Sequence, residues 1–482
     1  MVLSKYFVVA AQFLFWGIFM MIDAYLLIPS IILRYLARIK SQSEAGQPQQ
    51  QQQRQGGLRQ PRQRRANTVV VVGGSFAGLA ALRKFENNPL FRVILIDPKQ
   101  YFEYTPGILR LVCEPNLFRK LAYPLPHGAH EIIQGTVTTI TSERQQNEVT
   151  YVDSATRQTK TLQFDYLILA TGRQYQYPVS PLREEATLAA RANAWKVAAQ
   201  SLERAKSILI LGGGAVGTEL AAEIVDHYHL DQGKKVTLID ASPRLVPLFE
   251  DAKVSEYAES WLKSRGCKLL LGEMLRKWDD KSCTLRHGAV LKADLVFVCF
   301  GDKPNSGPLV ANNPRALTTS STGTTSGSGN VIQLDQRKCI QVDPFLGVPN
   351  RPNIFCCGDV AAPPTEDAKQ AFHAEVQGGV AAENVMRLVT GRPFVQYPED
   401  ATSGSQRMPM VYVLSLGRFD GVIAFNQLII PGALASLVKW ILEWTKIRQM
   451  LGRPVGILIW MFGDAVTFFL SKTYLPPKPK ES

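Results

Sequence analysis

Twice in this chain an aliphatic run breaks into a glycine turn and reopens as a helical segment. No other feature restricts the fold as much. The first run, Val69–Val72, is four β-branched residues without alternation, the pattern of a strand buried on both faces. It leads into Gly73-Gly74-Ser75-Phe76-Ala77-Gly78, and Leu79–Phe85 follows with helical character. The second run, Ser207–Leu211, leads into Gly212-Gly213-Gly214-Ala215-Val216-Gly217, with a helix expected from Thr218–Val225. Each unit continues into a second strand that ends in an acid. Arg92–Ile96 delivers Asp97, 19 residues after Gly78, and Lys235–Ile239 delivers Asp240, 23 residues after Gly217. In this pattern the first glycine makes a tight turn, the middle one lets the backbone approach a pyrophosphate, and the third lets helix and strand pack closely. The acid meets ribose hydroxyls. Ser75 stands where the first copy should have its middle glycine. One such turn by itself also reads as an ordinary βαβ connection. Two of them, 139 residues apart, point to two dinucleotide sites.

Three more turns fit the same architecture. Tyr166–Ala170 is a strand that ends in Thr171-Gly172. Leu295–Phe300 ends in Gly301-Asp302-Lys303-Pro304-Asn305. Asn353–Cys357 delivers Gly358-Asp359. The order of these motifs resembles the two-dinucleotide-binding flavoproteins of the pyridine-nucleotide oxidoreductase superfamily, over about residues 67–450. Within it, Leu414–Gly421 and Lys446-Ile447-Arg448 are most similar to the ferroptosis-suppressor branch, quinone reductases related to apoptosis-inducing factor, with type II NADH dehydrogenases close behind. The N-terminal apolar segment departs from the Met-Gly start of myristoylated relatives. A Ser/Thr/Gly tract, 318–329, is inserted.

The resemblance implies an α/β chain with two Rossmann-type domains, one for FAD and one for NADH. Gly73, Gly74, Ser75 and Gly78 would then face the FAD pyrophosphate at a helix N-terminus, Asp97 the adenosine ribose, and Gly358-Asp359 the ribityl chain, with Thr171-Gly172 in the same domain. Gly212, Gly214, Gly217 and Asp240 would hold NADH. NADPH is the alternative, because Arg244 could pair with a 2′-phosphate. Glu219, two residues past Gly217, is implied to lie between nicotinamide and flavin, or else to be a solvated first-turn acid. Lys369, expected in the first turns of a helix beginning near Glu366, would stabilise negative charge on the reduced flavin, or else be an exposed lysine. Tyr101–Pro106 reads either as an acceptor channel or as interdomain packing.

Composition closes several alternatives. With 482 residues, 46% hydrophobic and 20% charged, whole-chain disorder, collagen and a wholly membrane-embedded transporter are excluded. The net charge is +13, yet residues 1–65 alone hold nine cations against two acids. A basic arm beside an apolar segment suggests an anionic membrane surface rather than nucleic acid. Seven cysteines make no disulfide framework, and no Cys-x-x-Cys or Cys-x-x-x-x-Cys occurs, so electrons should leave the flavin directly for an external acceptor. With membrane-seeking ends, a lipid-soluble quinone is the natural choice. The six histidines show no metal spacing, and no metal is expected.

Those ends are residues 6–22, uncharged up to Asp23 and read as a membrane span or a monotopic helix, and Leu428–Trp444, with Lys439 and Glu443 admitted at helical spacing, and Val455–Leu470, both read as amphipathic helices in a membrane interface. Core packing is the alternative for the first and a homodimer interface for the others. The expected organisation is an N-terminal membrane anchor (1–40) and a Gln/Arg-rich linker (41–66). An FAD domain follows in two parts (67–180 and 331–395) around an NAD(P)H domain (181–330), then a C-terminal membrane-associating region (396–482). Cations from Arg34 onward favour flavin domains in the cytosol. The Lys478/Lys480 tail suggests the endoplasmic reticulum or another lipid surface, with a mitochondrial type II dehydrogenase as the alternative. A non-enzymatic, apoptosis-linked flavoprotein is the remaining reading.

Overall fold

The computed structural model describes residues 8–15, 17–21, 65–126, 128–143, 146–228, 233–249, 251–310, 332–364, 369–398 and 409–473. The expectations for the linker, Asp23, the insertion at 318–329, Glu366 and the lysine tail fall outside the described residues.

Two sheets carry the fold. The larger has eight strands in the order Gly347–Val348, Arg351–Cys356, Tyr166–Leu169, Asn67–Val72, Phe91–Asp97, Glu131–Glu143, Gln146–Asp153, Thr159–Gln163. Its centre is parallel. Val72 pairs with Ile96 on one side and Leu169 on the other, and Leu169 pairs in turn with Cys356. These strands are almost wholly buried, which accounts for their unbroken aliphatic sequence. The smaller sheet is fully parallel, in the order Lys268–Leu271, Lys235–Asp240, Ser207–Leu211, Leu295–Val298.

Both glycine turns have the same geometry, and steric contact explains why. Gly73 and Gly212 sit at φ +107° and +109°, where L side chains are strained. A Cβ on Gly78 would lie 1.8 Å from the Gly73 carbonyl oxygen, and one on Gly217 would lie 1.8 Å from the Gly212 carbonyl oxygen. The helices Phe76–Phe85 and Ala215–His227 can therefore start only from glycine at these places.

The C-terminal region differs from its expectation. Leu428–Pro431 is not helical. It is the edge strand of a three-stranded sheet with Val411–Ser415 and Gly421–Phe425. Ile429 and Ile430 suit a pleated surface, and Gly432 at φ +104° turns the chain into a helix, Ala433–Met450, called here the bridging helix. The terminal helix, Pro454–Thr473, packs back against it.

The N-terminal apolar segment forms a helix over Val8–Met21 and stacks Phe19 on Trp444 of the bridging helix at 5.2 Å. Among the described residues only Pro454–Ser471, with mean hydropathy 1.6, is long and apolar enough by length and composition to cross a bilayer. Ile457, Leu458, Met461, Phe462 and Phe469 are exposed along one face of that helix.

Candidate functional site

The FAD-side residues from the sequence converge on one edge. Gly73, Thr171-Gly172 and Gly358-Asp359 follow the carboxyl ends of three adjacent parallel strands, and Asp97 ends the fourth. Ligands of open α/β sheets bind at such an edge. The nicotinamide-side set repeats the arrangement, with Gly212 and Asp240 at the ends of neighbouring strands.

The two acids behave alike. Asp97 accepts from the Gly74 amide through Oδ2 at 2.6 Å and from the Lys99 amide through Oδ1 at 2.7 Å. Asp240 accepts from the Gly213 and Ser242 amides in the same way. Each carboxylate thus ties its glycine turn to the end of the next strand, a bracing role the sequence spacing did not reveal. Arg244 is held by the carbonyls of Pro247 and Phe249, at 3.3 and 2.8 Å, so its guanidinium is engaged within its own loop.

The residues present fit a bound dinucleotide. Neither fingerprint helix has a side-chain cap, so its first-turn amides are left for an anion. A Cβ on Gly214 would meet nothing within 4 Å, and Ser75 occupies the matching place in the first turn without capping its helix. Gln370 Oε1, at the start of the helix Ala371–Thr390, is buried without a hydrogen-bond partner among the described residues.

Lys369 is placed differently from the expectation. The helix starts at Ala371, so Lys369 precedes it, and its ammonium donates to the Ala361 carbonyl at 2.6 Å. Thr171 and Gly172 are bound across the sheets. Thr171 Oγ1 donates to the Asn305 carbonyl, the Asn305 amide side chain donates to the Thr171 carbonyl, both at 2.8 Å, and the Asn305 backbone amide donates to the Gly172 carbonyl at 2.9 Å. These two turns form a strap between the halves, reinforced by the Arg173–Asp302 ion pair. The Tyr101–Pro106 stretch is mainly packing. Tyr101 and Phe102 are buried, and Glu103 is bound by the fully buried Arg191 and by Trp195.

Glu219 lies in a charged cavity of about 180 Å³ beneath the bridging helix. Its Oε1 accepts from Lys439 Nζ at 2.7 Å, from the Ser415 amide at 2.8 Å and from Ser415 Oγ at 3.0 Å. The solvated first-turn reading therefore does not hold. Arg110 and Glu443 form a second ion pair on the cavity wall. In sequence, Lys439 and Glu443 read as charges admitted into an interfacial helix. They face the protein instead, because each meets an opposite charge there. Sequence pattern could have flagged them, since a lone ionic pair in an apolar helix demands partners.

Glu223 was also missed. It lies one helical turn after Glu219, is 8% exposed and lines the same cavity. Burial pushes its carboxyl up to about 7, against the pull of Arg110 and Lys439 and with a push from Glu219 and Asp226. All seven cysteines are free, and burial raises the Cys113, Cys299, Cys356 and Cys357 thiols, so they are poor thiolates.

Residues 67–378 match the pyridine nucleotide-disulphide oxidoreductase family, and the chain belongs to it. It is a flavoprotein oxidoreductase that uses FAD and NAD(P)H. Ferroptosis suppressor protein 1 of Xenopus tropicalis is 27% identical over 382 residues, 77% of this chain and 92% of the relative. The sulfide:quinone oxidoreductase of Aquifex aeolicus superimposes with a TM-score of 0.64 at 18% identity, covering 86% of this chain and all of that one. NDH2 of Plasmodium falciparum, solved in complex with NADH, gives 0.62 at 13% identity, covering 86% and 100%.

The raised Glu223 carboxyl has a consequence for stability. Between its ordinary value of 4.5 and about 7, the folded chain keeps a proton that the unfolded chain has released. This contribution is intact below 4.5 and is lost as pH rises through about 7, a change of up to about 3 kcal/mol. Glu223→Gln should match the wild type near pH 4.5 and become relatively more stable toward pH 8. Chemical denaturation across that range checks it. A difference that is independent of pH would show that the carboxyl is not raised.

Proposed function

We propose that this chain is a membrane-associated oxidoreductase that takes a hydride from NADH and passes electrons to a lipid-soluble quinone without a redox disulfide. The proposed organisation follows the domain boundaries above, with FAD held by 67–180 and 331–395, nicotinamide by 181–330, and lipid contact made by the terminal helix and the N-terminal helix. FAD, when bound, supplies a two-electron carrier between the reduced nicotinamide and the acceptor. The chain's part is to hold and orient. The uncapped amides at Ser75–Gly78 and Gly214–Gly217 receive the two pyrophosphates. Asp97 and Asp240 receive ribose hydroxyls while bracing their turns. Asp359 meets the ribityl hydroxyls. Lys369, beside the start of its helix, favours negative charge at the flavin edge, and Glu219, fixed by Lys439 and Ser415, closes the nicotinamide side.

The observation that carries the acceptor assignment is the set of seven free cysteines, none of them arranged as a redox pair, beside a helix whose exposed face is wholly apolar. Electrons must leave for an outside acceptor, and that face suits a lipid surface. The names of the structural neighbours, one of them a quinone oxidoreductase, favour the same acceptor. We place the flavin domains on the cytosolic side of the endoplasmic reticulum or a connected lipid surface. Protease-resistant domains inside intact mitochondria would move the protein to that membrane.

NADH should be preferred over NADPH, since Asp240 repels a 2′-phosphate and Arg244 is engaged within its loop. Asp240→Ala should narrow the preference and, by loosening the Gly213 turn, weaken both nucleotides. Equal kcat/KM values in the wild type would refute the assignment.

The FAD-loaded chain should reduce a short-chain ubiquinone with NADH, and Cys113→Ser should keep most of that rate. Loss of turnover in Cys113→Ser with FAD retained would reveal a thiol relay.

The chain should sediment with anionic phospholipid vesicles. Replacing Met461 and Phe462 together by glutamate should abolish sedimentation while FAD stays bound. Unchanged sedimentation would place the lipid contact elsewhere.

A further inference from the structure

The cavity under the bridging helix holds several acids, and they are treated unequally. Glu219 and Glu443 each have a cation in contact. The Glu223 carboxyl has no ion pair and no hydrogen bond among the described residues, although it lines the same cavity and is more than nine-tenths buried. The groups facing it are Arg110, Cys113 and Glu114 from the segment 105–114, Lys439 and Glu443 from the bridging helix, and Glu219 and Asp226 from its own helix. Cys113 touches only its main chain, with Sγ 3.7 Å from the Glu223 carbonyl oxygen. A carboxyl buried this far without a cation of its own is stable as the neutral acid, with a proton to give.

Position supports the same role. Glu223 and Glu219 are four residues apart on one helix, so their side chains are neighbours on one face. Glu219 is the nearer to the Gly212–Gly217 turn. All three bonds to Glu219 fall on Oε1, which leaves Oε2 without a protein partner among the described residues. The cavity is also lined by Lys120 and Arg418, both exposed to solvent.

We propose that Glu223 supplies the proton consumed in reducing the quinone, delivering it through cavity water and Glu219. The inference rests on the acceptor assignment made above. The overall reaction is NADH + H⁺ + quinone → NAD⁺ + hydroquinone. The hydride carries two electrons and one proton, and the second proton has to come from water. The Glu223 O–H bond breaks, a hydroquinone O–H bond forms, and the carboxylate is reloaded from water beside Lys120 and Arg418. Glu223 acts through Glu219 and water and does not touch the quinone.

The test compares two acceptors on the FAD-loaded full chain. Short-chain ubiquinone needs protons, whereas ferricyanide takes electrons alone. In Glu223→Gln the ratio of quinone rate to ferricyanide rate should fall about tenfold or more, the scale of a lost proton-transfer group. The wild-type quinone rate should decline as pH rises through about 7, where Glu223 loses its proton. That inflection should vanish in Glu223→Gln and partly return in Glu223→Asp. Infrared spectroscopy gives a readout without turnover, because a protonated-carboxyl carbonyl band that titrates near neutrality should be missing from Glu223→Gln. An equal fall with both acceptors would reduce Glu223 to packing, and an unchanged quinone rate and pH profile would give the proton another source. Either result overturns the inference and leaves the acceptor assignment standing. A wild type that reduces ferricyanide but no quinone overturns the acceptor assignment itself, and the inference with it.

Discussion

Three charges on the bridging helix, Lys439, Glu443 and Lys446, hold the molecule's parts in register. They recur at intervals of four and three residues, so they form one stripe. Each meets an opposite charge on a different element. Lys439 reaches Glu219 on the second fingerprint helix, Glu443 reaches Arg110 in the segment after the first acid, and Lys446 reaches Glu375 on the helix Ala371–Thr390. Glu375 also binds Arg83 on the first fingerprint helix at 2.8 Å. One helix is thereby tied to the helices of both glycine turns. Exposed ion pairs contribute little, about 0–1 kcal/mol, but removing one partner of a desolvated pair strands its counterpart and costs about 3–5 kcal/mol. These pairs are largely buried, so their value is chiefly in specifying one arrangement.

That arrangement fixes what the cavity can do. Glu219 is held through one oxygen, on which Lys439 and Ser415 converge. Glu223, a turn away, receives no such support. The contrast arises because Lys439 and Ser415 reach Glu219 and not Glu223. Two acids of the same helix therefore acquire different chemical characters from their surroundings, as happens where proton transfer has to be directed.

The same helix carries the two apolar helices. Phe19 of the N-terminal helix stacks on Trp444, and Trp460 of the terminal helix donates to Thr445 at 3.1 Å and lies under the Lys446 ammonium at 3.3 Å. The terminal helix is thus packed on the element that pairs with Glu219, while its apolar face stays exposed. A lipid-soluble acceptor and the nicotinamide side would be linked through a single packed helix.

The sequence by itself determined the two glycine turns, the parallel strands around them, the acids Asp97 and Asp240 and the lack of a redox cysteine pair. These depend on contacts between residues close in the chain, such as the 1.8 Å clearance at Gly78 and Gly217, and local sterics leave a readable pattern. Only the tertiary structure decided the roles of Lys439, Glu443, Glu223, Thr171 and Lys369. Lys439 lies 220 residues from Glu219, and Thr171 lies 134 residues from Asn305. A charge in an apolar helix looks the same in sequence whether it faces headgroups or a buried partner. The run Leu428–Trp444 likewise read as one helix until Gly432 and the pairing of Leu428–Pro431 divided it. Burial sets the dielectric around a carboxyl and folding chooses its neighbours, so the difference between Glu219 and Glu223 exists only once Lys439 and Ser415 have been brought to Glu219.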